Sequence, residues 1–295
     1  MRSVLLAASQ NDWLRKNATR YEFLRRSVAR FMPGETTQEA IEAAEKLRAA
    51  GFRVLLTKLG EDIERRQEAD AVTEHYLDVL ARIRDSPSIC ISIKLTQLGL
   101  NVDREIAWEN LRRLTEFAGG RNWVWIDMES SNYVDVTLAL YRRARELSEK
   151  TGLCVQAYLF RTDADVRALL PLRPAIRLVK GAYREPPDRA YPHKKDVDEN
   201  FYRLARLLLD SDVLKTVIGT HDRALISRIE ALVKSNDAVE FQMLYGIARD
   251  EQQRLRDEGR ACGVLISYGE QWFPWYMRRL AERPANVLFV LRNLR

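Results

Sequence analysis

Five basic residues stand out as groups that could bind an anion: Lys94, Arg177, Lys180, Arg278 and Arg279. Lysine and arginine hold carboxylates and phosphates through charge-assisted hydrogen bonds. Lys94, Arg177 and Lys180 fall within or at the end of apolar runs, where a charge is costly unless it is paired or binds an anion. This set of side chains favours a site for an anionic substrate, an anionic cofactor, or both.

Arg278 and Arg279 are adjacent in WFPWYMRRLAERPAN, which has the pattern of a last helix. Neighbouring residues on a helix point about 100° apart, so the two side chains do not form one flat positive face. They are either an ordinary charged helix end or a clamp that reaches one anion from two directions. The local sequence leaves both interpretations open.

Lys94 is placed by the alternation in SICISIKL, which puts Cys90, Ser92 and Lys94 on one face of a strand. Its charge is explained equally well by an ion pair with Asp127, at the end of NWVWIDM, or by binding of an anion. The same reasoning indicates further polar candidates near strand ends: Gln156, Arg177, Lys180, His221, Glu240 and Gln242.

The residue types exclude several reactions. The sequence has no Gly-x-Ser-x-Gly motif and no Cys/His pair for acyl transfer, and the histidines (His75, His193 and His221) lack the spacing of metal ligands. We therefore predict no metal site. A lysine nucleophile of the aldolase type, Lys94 or Lys180, remains an alternative, because barrel enzymes of that class use a strand lysine.

Eight apolar, strand-like runs alternate with amphipathic helical stretches such as ENFYRLARLLLD, which has helical periodicity. The runs are RVLLTKLG, SICISIKLTQLG, NWVWIDM, CVQAYLF, AIRLVKGAY, VLKTVIGTH, AVEFQML and CGVLISYG. Alternating strands and helices predict parallel pairing, and eight repeats favour closure into a barrel with its site at the carboxyl ends of the strands. An open doubly wound sheet is the alternative, but its Gly-rich phosphate fingerprint is missing.

Composition and charge are those of a globular protein with 295 residues, of which 46% are hydrophobic and 31% charged. The net charge of +6 is spread along the chain, which favours anionic ligands or membrane surfaces without indicating nucleic acid. No run is long enough to predict a transmembrane helix, and MRSVLLAASQ is too short for a signal peptide. Cys90, Cys154 and Cys262 are widely separated, so we expect reduced thiols and a cytoplasmic location.

Several of these stretches together resemble the proline dehydrogenase family in its monofunctional bacterial form. The most specific motifs are ISIKLTQLG, IDMES, QAYLFRT, RLVKGAY, KKDVDENF, GTHD, EFQMLYGI and YMRRLAERPAN. The resemblance covers nearly the whole chain and implies a (βα)8 TIM-type barrel with extra N-terminal helices and a C-terminal substrate-capping helix. It also implies one catalytic domain over 1–295, with N-terminal helices in 1–51, the barrel in 52–269 and the last helix in 270–295.

The resemblance implies non-covalent FAD and the oxidation of L-proline to Δ1-pyrroline-5-carboxylate by hydride transfer. Reduced flavin would pass its electrons to a quinone at the membrane surface, which a cytoplasmic protein reaches by peripheral contact with the inner membrane. The missing Gly-rich fingerprint agrees with the resemblance, because this family binds FAD across the strand ends. A flavin- or ligand-binding paralogue without activity is a further alternative.

Matching positions in the family imply roles for individual residues. Asp127 and Arg177 match positions treated as catalytic, and Lys94, Arg278 and Arg279 match the residues that contact the substrate carboxylate. The positions that match flavin contacts are Met128, Gln156, Lys180, Gly181, Ala182, Thr220 and His221.

Four positions depart from the family pattern. Leu265 replaces a tyrosine that packs against the substrate ring, Ser267 replaces a proline, Trp275 replaces a tyrosine of the last helix, and Thr57 replaces a first-strand aspartate. The departures lie on the substrate-ring side, so we expect Leu265 to line a roomier pocket. The substrate is then proline or a close relative such as hydroxyproline or another substituted proline.

Overall fold

The computed structural model describes residues 28–60, 62–235, 239–273 and 276–277. Within them, eight parallel strands form a closed barrel in chain order, β1 through β8. The strands are β1 (Arg53–Lys58), β2 (Ile89–Ile93), β3 (Val124–Ile126), β4 (Thr151–Gln156), β5 (Ala175–Val179), β6 (Lys215–Gly219), β7 (Glu240–Leu244) and β8 (Ala261–Tyr268). The predicted barrel is confirmed, and the open sheet is wrong because β1 pairs with both β2 and β8.

Helices follow or precede the strands in the described part of the chain. They are α1 (Thr37–Ala49), α2 (Arg66–Arg82), α3 (Arg104–Ala118), α4 (Val134–Leu147), α5 (Thr162–Leu169), α6 (Lys194–Leu209), α7 (Arg223–Glu230) and α8 (Arg249–Asp257). Short 3-10 turns cover Ser131–Tyr133 and Leu170–Leu172. Since α1 precedes β1, the remaining helices supply the crossovers between successive strands.

The start and end of α1 follow the sequence signals. The Thr36 hydroxyl accepts a hydrogen bond from the backbone N–H of Glu39, and the Glu39 carboxylate accepts one from the backbone N–H of Thr36 at 3.0 Å. This capping box satisfies two donors that a helix end leaves open. The helix ends just before Gly51, whose φ of 88° suits a residue without a side chain.

Alternation along β2 separates two packed regions. Ile89, Ile91 and Ile93 belong to the large core between the barrel and its helices. Cys90 packs with Trp125 in a smaller cluster that also contains Leu55, Ala175 and Val217. These residues come from different strands and pack together in the barrel lumen, as the predicted alternation of SICISIKL requires.

Glu240 corrects one expectation, because it lies at the amino end of the barrel and not near the mouth. It is the first residue of β7, and its carboxylate lies 2.7 Å from Arg53 and 2.6 Å from Lys215, the first residues of β1 and β6. The run AVEFQML did not reveal where the strand begins.

The first described residues pack against the segment that follows β8. Phe31 and Tyr276 have ring centroids 6.3 Å apart, and the Trp272 indole donates to the Glu35 carboxylate at 3.0 Å. The predicted helices within 1–27 and the arginine pair Arg278–Arg279 lie outside the described residues. No helix in the described ranges is long and apolar enough to cross a membrane.

Candidate active site at the carboxyl ends of the strands

The carboxyl ends of β2 to β6 bring together most of the predicted site residues. Lys94 follows β2, Asp127 follows β3, and Arg177 lies within β5. The predicted flavin-contacting positions occupy the same sector: Met128 after β3, Gln156 at the end of β4, Lys180, Gly181 and Ala182 after β5, and Thr220 and His221 after β6. The parallel barrel therefore gathers residues that are up to 127 positions apart, from Lys94 to His221, at one mouth.

Asp127, Arg177 and Ser92 form a closed ring of hydrogen bonds. Arg177 Nη2 donates to Asp127 Oδ1 in an ion pair and to Ser92 Oγ at 2.8 Å. Ser92 Oγ in turn donates to the same Oδ1 atom at 2.7 Å. Because β3 and β4 stand between β2 and β5, the bond from Arg177 to Ser92 runs across the lumen.

Arg177 is deeply buried, with 3% of its surface exposed. Burial opposes the charge, but Asp127 together with Cys154 and Cys90 outweighs it, so the pKa of the guanidinium lies above its usual value. The guanidinium carbon also lies 5.3 Å from the centroid of the Trp125 ring, which favours a cation. Arg177 Nη1 is buried and has no hydrogen-bond partner within the described chain. The Arg177 guanidinium is therefore a fixed positive charge whose Nη1 donor remains available to a ligand.

Lys94 is not the partner of Asp127. The carboxylate of Asp127 is engaged by Arg177 and Ser92, and no carboxylate of the described residues lies within 4 Å of the Lys94 amine. The ion-pair interpretation of Lys94 is therefore wrong among these residues, which favours the interpretation as an anion-binding lysine.

Lys180 has two acidic partners. Its amine lies 2.5 Å from Asp198 and 2.8 Å from Asp222, and Lys194 pairs with the same two carboxylates. Burial raises the pKa of Asp222, but hydrogen bonds from Lys180 and Lys194 outweigh it and hold the pKa below its usual value. Two carboxylates therefore compensate the basic side chains on this side of the site.

Gly181 lies where a side chain has no room. Its φ is 114°, and a methyl group at this position would lie 2.2 Å from Cδ1 of Tyr158. The Tyr158 hydroxyl donates to Glu185 at 3.2 Å, and the same carboxylate accepts the backbone N–H of Ser131 at 2.7 Å. The segment after β5 is therefore tied to the residues that follow β3 and β4.

The other predicted cofactor positions are held by backbone contacts. Gln156 donates to the carbonyl of Met128 at 3.2 Å, while its Oε1 atom is buried without a partner in the described ranges. The backbone N–H of Thr220 donates to the carbonyl of Gln242 at 3.2 Å. His221 Nε2 accepts the backbone N–H of Leu244 at 2.9 Å, so this nitrogen carries no proton in that contact.

Three of the four departures from the family pattern lie side by side. Thr57 pairs in register with Ser267, and Leu55 pairs with Leu265 on the same two strands. Leu265 packs against the lumen cluster of Leu55 and Trp125, and alternation places Thr57 and Ser267 one layer nearer the mouth. Trp275, Arg278 and Arg279 lie outside the described residues.

Sequence reasoning missed four participants: Ser92, Trp125, Asp198 and Asp222. Ser92 stands two residues before Lys94 on the same strand face, and Asp222 directly follows His221, so both could have been found by extending the motifs. Asp198 and Trp125 gave no comparable signal. No group of His, Cys, Asp or Glu in the ranges that the structure covers could hold a metal ion.

Known proteins resemble this chain over most of its length. The family described as Proline dehydrogenase matches residues 40–292. The chain is 37% identical over 300 aligned positions to proline dehydrogenase 1 of Bacillus subtilis (strain 168), covering 100% of this chain and 99% of that protein. It is 38% identical over 281 positions to proline dehydrogenase of Deinococcus radiodurans, covering 90% and 89%.

The crystal structure of proline utilization A from Bdellovibrio bacteriovorus, inactivated by N-propargylglycine, has a similar fold. Its TM-score is 0.82 at 22% sequence identity, covering 95% of this chain and 36% of that longer chain. With the barrel, the ordered motifs and these full-length relatives, the chain belongs to the proline dehydrogenase family.

Proposed function

We propose that the protein oxidises L-proline to Δ1-pyrroline-5-carboxylate, with FAD bound at the carboxyl ends of the strands. Membership of the proline dehydrogenase family supports the reaction. The structural observation that carries the proposal is Arg177, a buried cation locked by Asp127 and Ser92 with one donor face unused. A reaction that develops negative charge next to this group is stabilised by it.

The mouth fits a flavin. Arg177 Nη1 and Gln156 Oε1 are a buried donor and a buried acceptor without partners in the described chain, and a flavin ring carries both acceptors and an N–H donor along its edges. We propose that the ring and its ribityl and phosphate extensions are held by Met128, Gln156, Lys180, Gly181, Ala182, Thr220 and His221. When bound, FAD supplies the hydride acceptor.

Lys94 binds the substrate carboxylate in this proposal, together with Arg278 and Arg279. Lys94 is partly buried at the mouth and has no carboxylate of the described residues within 4 Å, so its charge is available to an anion. Adjacent residues of a helix point about 100° apart, so an arginine pair on the predicted last helix would reach the carboxylate from different sides.

Asp127 and Arg177 have different roles in the proposed reaction. Arg177 places a positive charge beside the cofactor site, where it stabilises negative charge that develops there. Asp127 holds the guanidinium in place and compensates its charge in the lumen. Both donors, Arg177 and Ser92, reach the same oxygen of Asp127, Oδ1, which supports this anchoring role.

The electron acceptor is proposed to be a quinone at the membrane surface. The family resemblance and the spread excess of +6 charge support peripheral contact of a cytoplasmic protein with the inner membrane. The same proposal treats residues 1–295 as a single catalytic domain.

A substituted proline such as hydroxyproline is a second candidate substrate. Thr57, Leu265 and Ser267 are neighbours on β1 and β8, so three departures from the family pattern change one wall of the mouth. Replacing a tyrosine ring by Leu265 removes a ring contact and leaves space for a substituent. A contact of this size shifts selectivity by about 1 to 3 kcal/mol.

The visible absorbance of the purified protein tests the proposal. A flavin spectrum that bleaches under anaerobic conditions with proline or hydroxyproline is expected. Colourless protein that forms a borohydride-trapped Schiff base would instead favour the aldolase alternative. Lys180 argues against that alternative, because its amine is engaged in ion pairs with Asp198 and Asp222.

Lys94→Met tests the substrate site. We expect the half-saturating proline concentration to rise about 10- to 100-fold with bound flavin unchanged, because one charge-assisted hydrogen bond is lost. Lys46→Met, an exposed position on α1, is the matched control and leaves both quantities unchanged. Loss of flavin in Lys94→Met would contradict the assignment.

A further inference from the structure

The hydrogen bonds of Ser92 have a consequence for the orientation of Arg177. A guanidinium Nη atom carries two hydrogens. In this structure both hydrogens of Arg177 Nη2 are used, one by Asp127 Oδ1 and one by Ser92 Oγ at 2.8 Å. Both hydrogens of Nη2 are therefore engaged, whereas Nη1 is buried without a hydrogen-bond partner in the described chain.

The donor and acceptor roles of the Ser92 hydroxyl are also fixed. Its single proton goes to Asp127 Oδ1 at 2.7 Å, so its oxygen can only accept from Arg177. The serine is fully buried on β2, one lumen layer below Lys94, with no competing solvent. The hydroxyl thus has one hydrogen-bonding arrangement, and that arrangement selects one rotation of the guanidinium.

An arginine and a carboxylate ordinarily prefer a two-bond, fork-to-fork geometry. Here the pair between Arg177 and Asp127 uses Nη2 and Oδ1 only. Ser92 occupies the second hydrogen of Nη2 and shares Oδ1, which disfavours rotation of the guanidinium into the two-bond geometry. Without Ser92, Nη1 is free to turn towards the second carboxylate oxygen.

We propose that Ser92 is a positioning residue for the reaction: its hydroxyl holds Arg177 in a one-bond pair with Asp127, so that Nη1 stays directed to the flavin. The inference rests on the proposed function, since it concerns the group to which Nη1 donates. Ser92 acts through Arg177 and touches neither substrate nor cofactor.

Ser92→Ala tests this role through the midpoint potential of the bound flavin, measured with the rate of flavin reduction by proline. We expect the preference for reduced flavin to weaken about tenfold, equivalent to a potential about 30 mV lower for a two-electron couple. The reduction rate at saturating proline falls about tenfold, and the half-saturating proline concentration changes less than about threefold, because Lys94 is untouched.

A crystal structure of the Ser92→Ala holoenzyme gives a readout independent of turnover. We expect Nη1 of Arg177 within hydrogen-bond distance of the Asp127 carboxylate. Ser92→Thr keeps the hydroxyl and restores the wild-type potential. If Ser92→Ala does not fold, Ser92→Cys is measured with the same expectation, since a thiol of similar size is a weak donor and acceptor.

Cys90→Ala is the matched control. Cys90 stands two residues before Ser92 on the same strand face, and its Sγ donates to the carbonyl of Val54 at 3.3 Å, so its hydrogen bond goes to β1 and not to Arg177. We expect its flavin potential to equal that of the wild type. An unchanged potential and rate in Ser92→Ala, or equal losses in Ser92→Ala and Ser92→Thr, would overturn the role of the hydroxyl.

The wild-type protein separates this inference from the proposed function. If the wild type binds flavin and is reduced by proline while Ser92→Ala behaves identically, only the role of Ser92 fails. If the wild type binds no flavin and is inert to proline, the proposed function fails, and the inference fails with it.

Discussion

The described cations of the mouth differ in what compensates their charge. Arg177 is locked into a buried ring with Asp127 and Ser92, and Lys180 is held by Asp198 and Asp222. Lys94 has no such carboxylate among the described residues. A positive charge that is already compensated serves to tune its surroundings, whereas an uncompensated one gains most from binding an anion. This difference separates the proposed flavin side of the mouth from its substrate side.

Leu265 sets the ring preference in our proposal, and Leu265→Tyr tests it. Restoring the aromatic ring should raise the ratio of kcat/KM for proline over hydroxyproline at least about tenfold, because it fills the space beside the ring. Leu265→Met keeps an apolar side chain of similar volume and should leave the ratio within about threefold. The ratio is measured by anaerobic flavin reduction. A tyrosine variant with the wild-type ratio would show that Leu265 does not contact the ring.

His75 makes stability depend on pH. Its Nε2 atom lies 2.8 Å from the Tyr268 hydroxyl, and burial followed by the nearby charge of Lys58 lowers its pKa to about 4, against a smaller opposing effect of Asp78. The unfolded chain binds this proton more readily between about pH 4 and 6.5, so the contribution is complete above pH 6.5 and is lost as pH falls towards 4.

His75→Gln is the test of that pH dependence, because glutamine offers an acceptor that does not titrate. The wild type should lose about 1 to 2 kcal/mol more unfolding free energy than the variant between pH 7 and pH 4, after discounting for partial solvent screening. Urea unfolding at several pH values measures the difference. Parallel losses in both proteins would contradict a buried neutral histidine.

Two segments outside the strands pack against the barrel: the stretch after β5 and the first described residues. The stretch after β5 is tied across the ends of β3 and β4 by Glu185 and by Arg189, which donates to Asn132 at 2.6 Å. The first described residues pack on the segment after β8, through Phe31, Trp272 and Tyr276. The first segment thus supports the proposed flavin positions, and the second packs the first described residues against the end of the barrel after β8.

Gly181→Ala tests the segment after β5. A methyl group there would collide with Tyr158, so the backbone or the ring must move, and we expect bound flavin per chain to fall by more than half. Gly120→Ala is the matched control: its φ is also positive, at 68°, but no atom of the described chain lies within 4 Å of the added methyl. The Gly120→Ala variant should be destabilised only by backbone strain and should keep its bound flavin. Equal flavin loss in both variants would point to general destabilisation.

At the scale of the whole molecule, the two ends of the barrel differ in role: one carries the candidate site and the other a group of ion pairs. The carboxyl ends gather the candidate site, whereas the amino ends of β1, β6 and β7 are joined by Glu240 with Arg53 and Lys215. Beside this junction is a cavity of about 290 Å³ whose lining includes Trp123 and Cys90. Burial raises the pKa of Glu240, but Lys215 and Arg53 outweigh it, so the net pKa is lowered and the pairing persists at neutral pH.

Glu240→Gln should therefore reduce stability without altering the mouth. Removing the carboxylate leaves Lys215 without its counter-charge at a largely buried site, at a cost of about 1 to 3 kcal/mol and a fall in Tm of about 3 to 10 °C. Glu258→Gln breaks a surface pair with Arg254 and should cost less than about 1 kcal/mol. Calorimetry of the holoenzymes compares them, and a changed flavin spectrum in Glu240→Gln would contradict the separation of the two ends.

The sequence alone determined the repeating pattern and the residues nearest its strand ends. Period-two runs separated by helical stretches predicted eight strands, and the alternation of SICISIKL correctly put Cys90 and Ser92 inside the barrel. These signals are local, because side-chain alternation follows directly from strand geometry. Charge at the strand ends indicated Arg177 and Lys180 as site residues, and the motif resemblance then implied catalytic roles for Asp127 and Arg177.

Only the tertiary structure decided the partners of those residues. Arg177 meets Ser92 across a lumen that exists only after closure, Lys180 meets Asp198 and Asp222 from other elements, and Glu240 lies at the end opposite to its expected place. The physical reason is that an ion pair or hydrogen bond depends on distances across the barrel. Those distances are set by strand register and barrel closure, and they cannot be predicted from the order of residues along the chain.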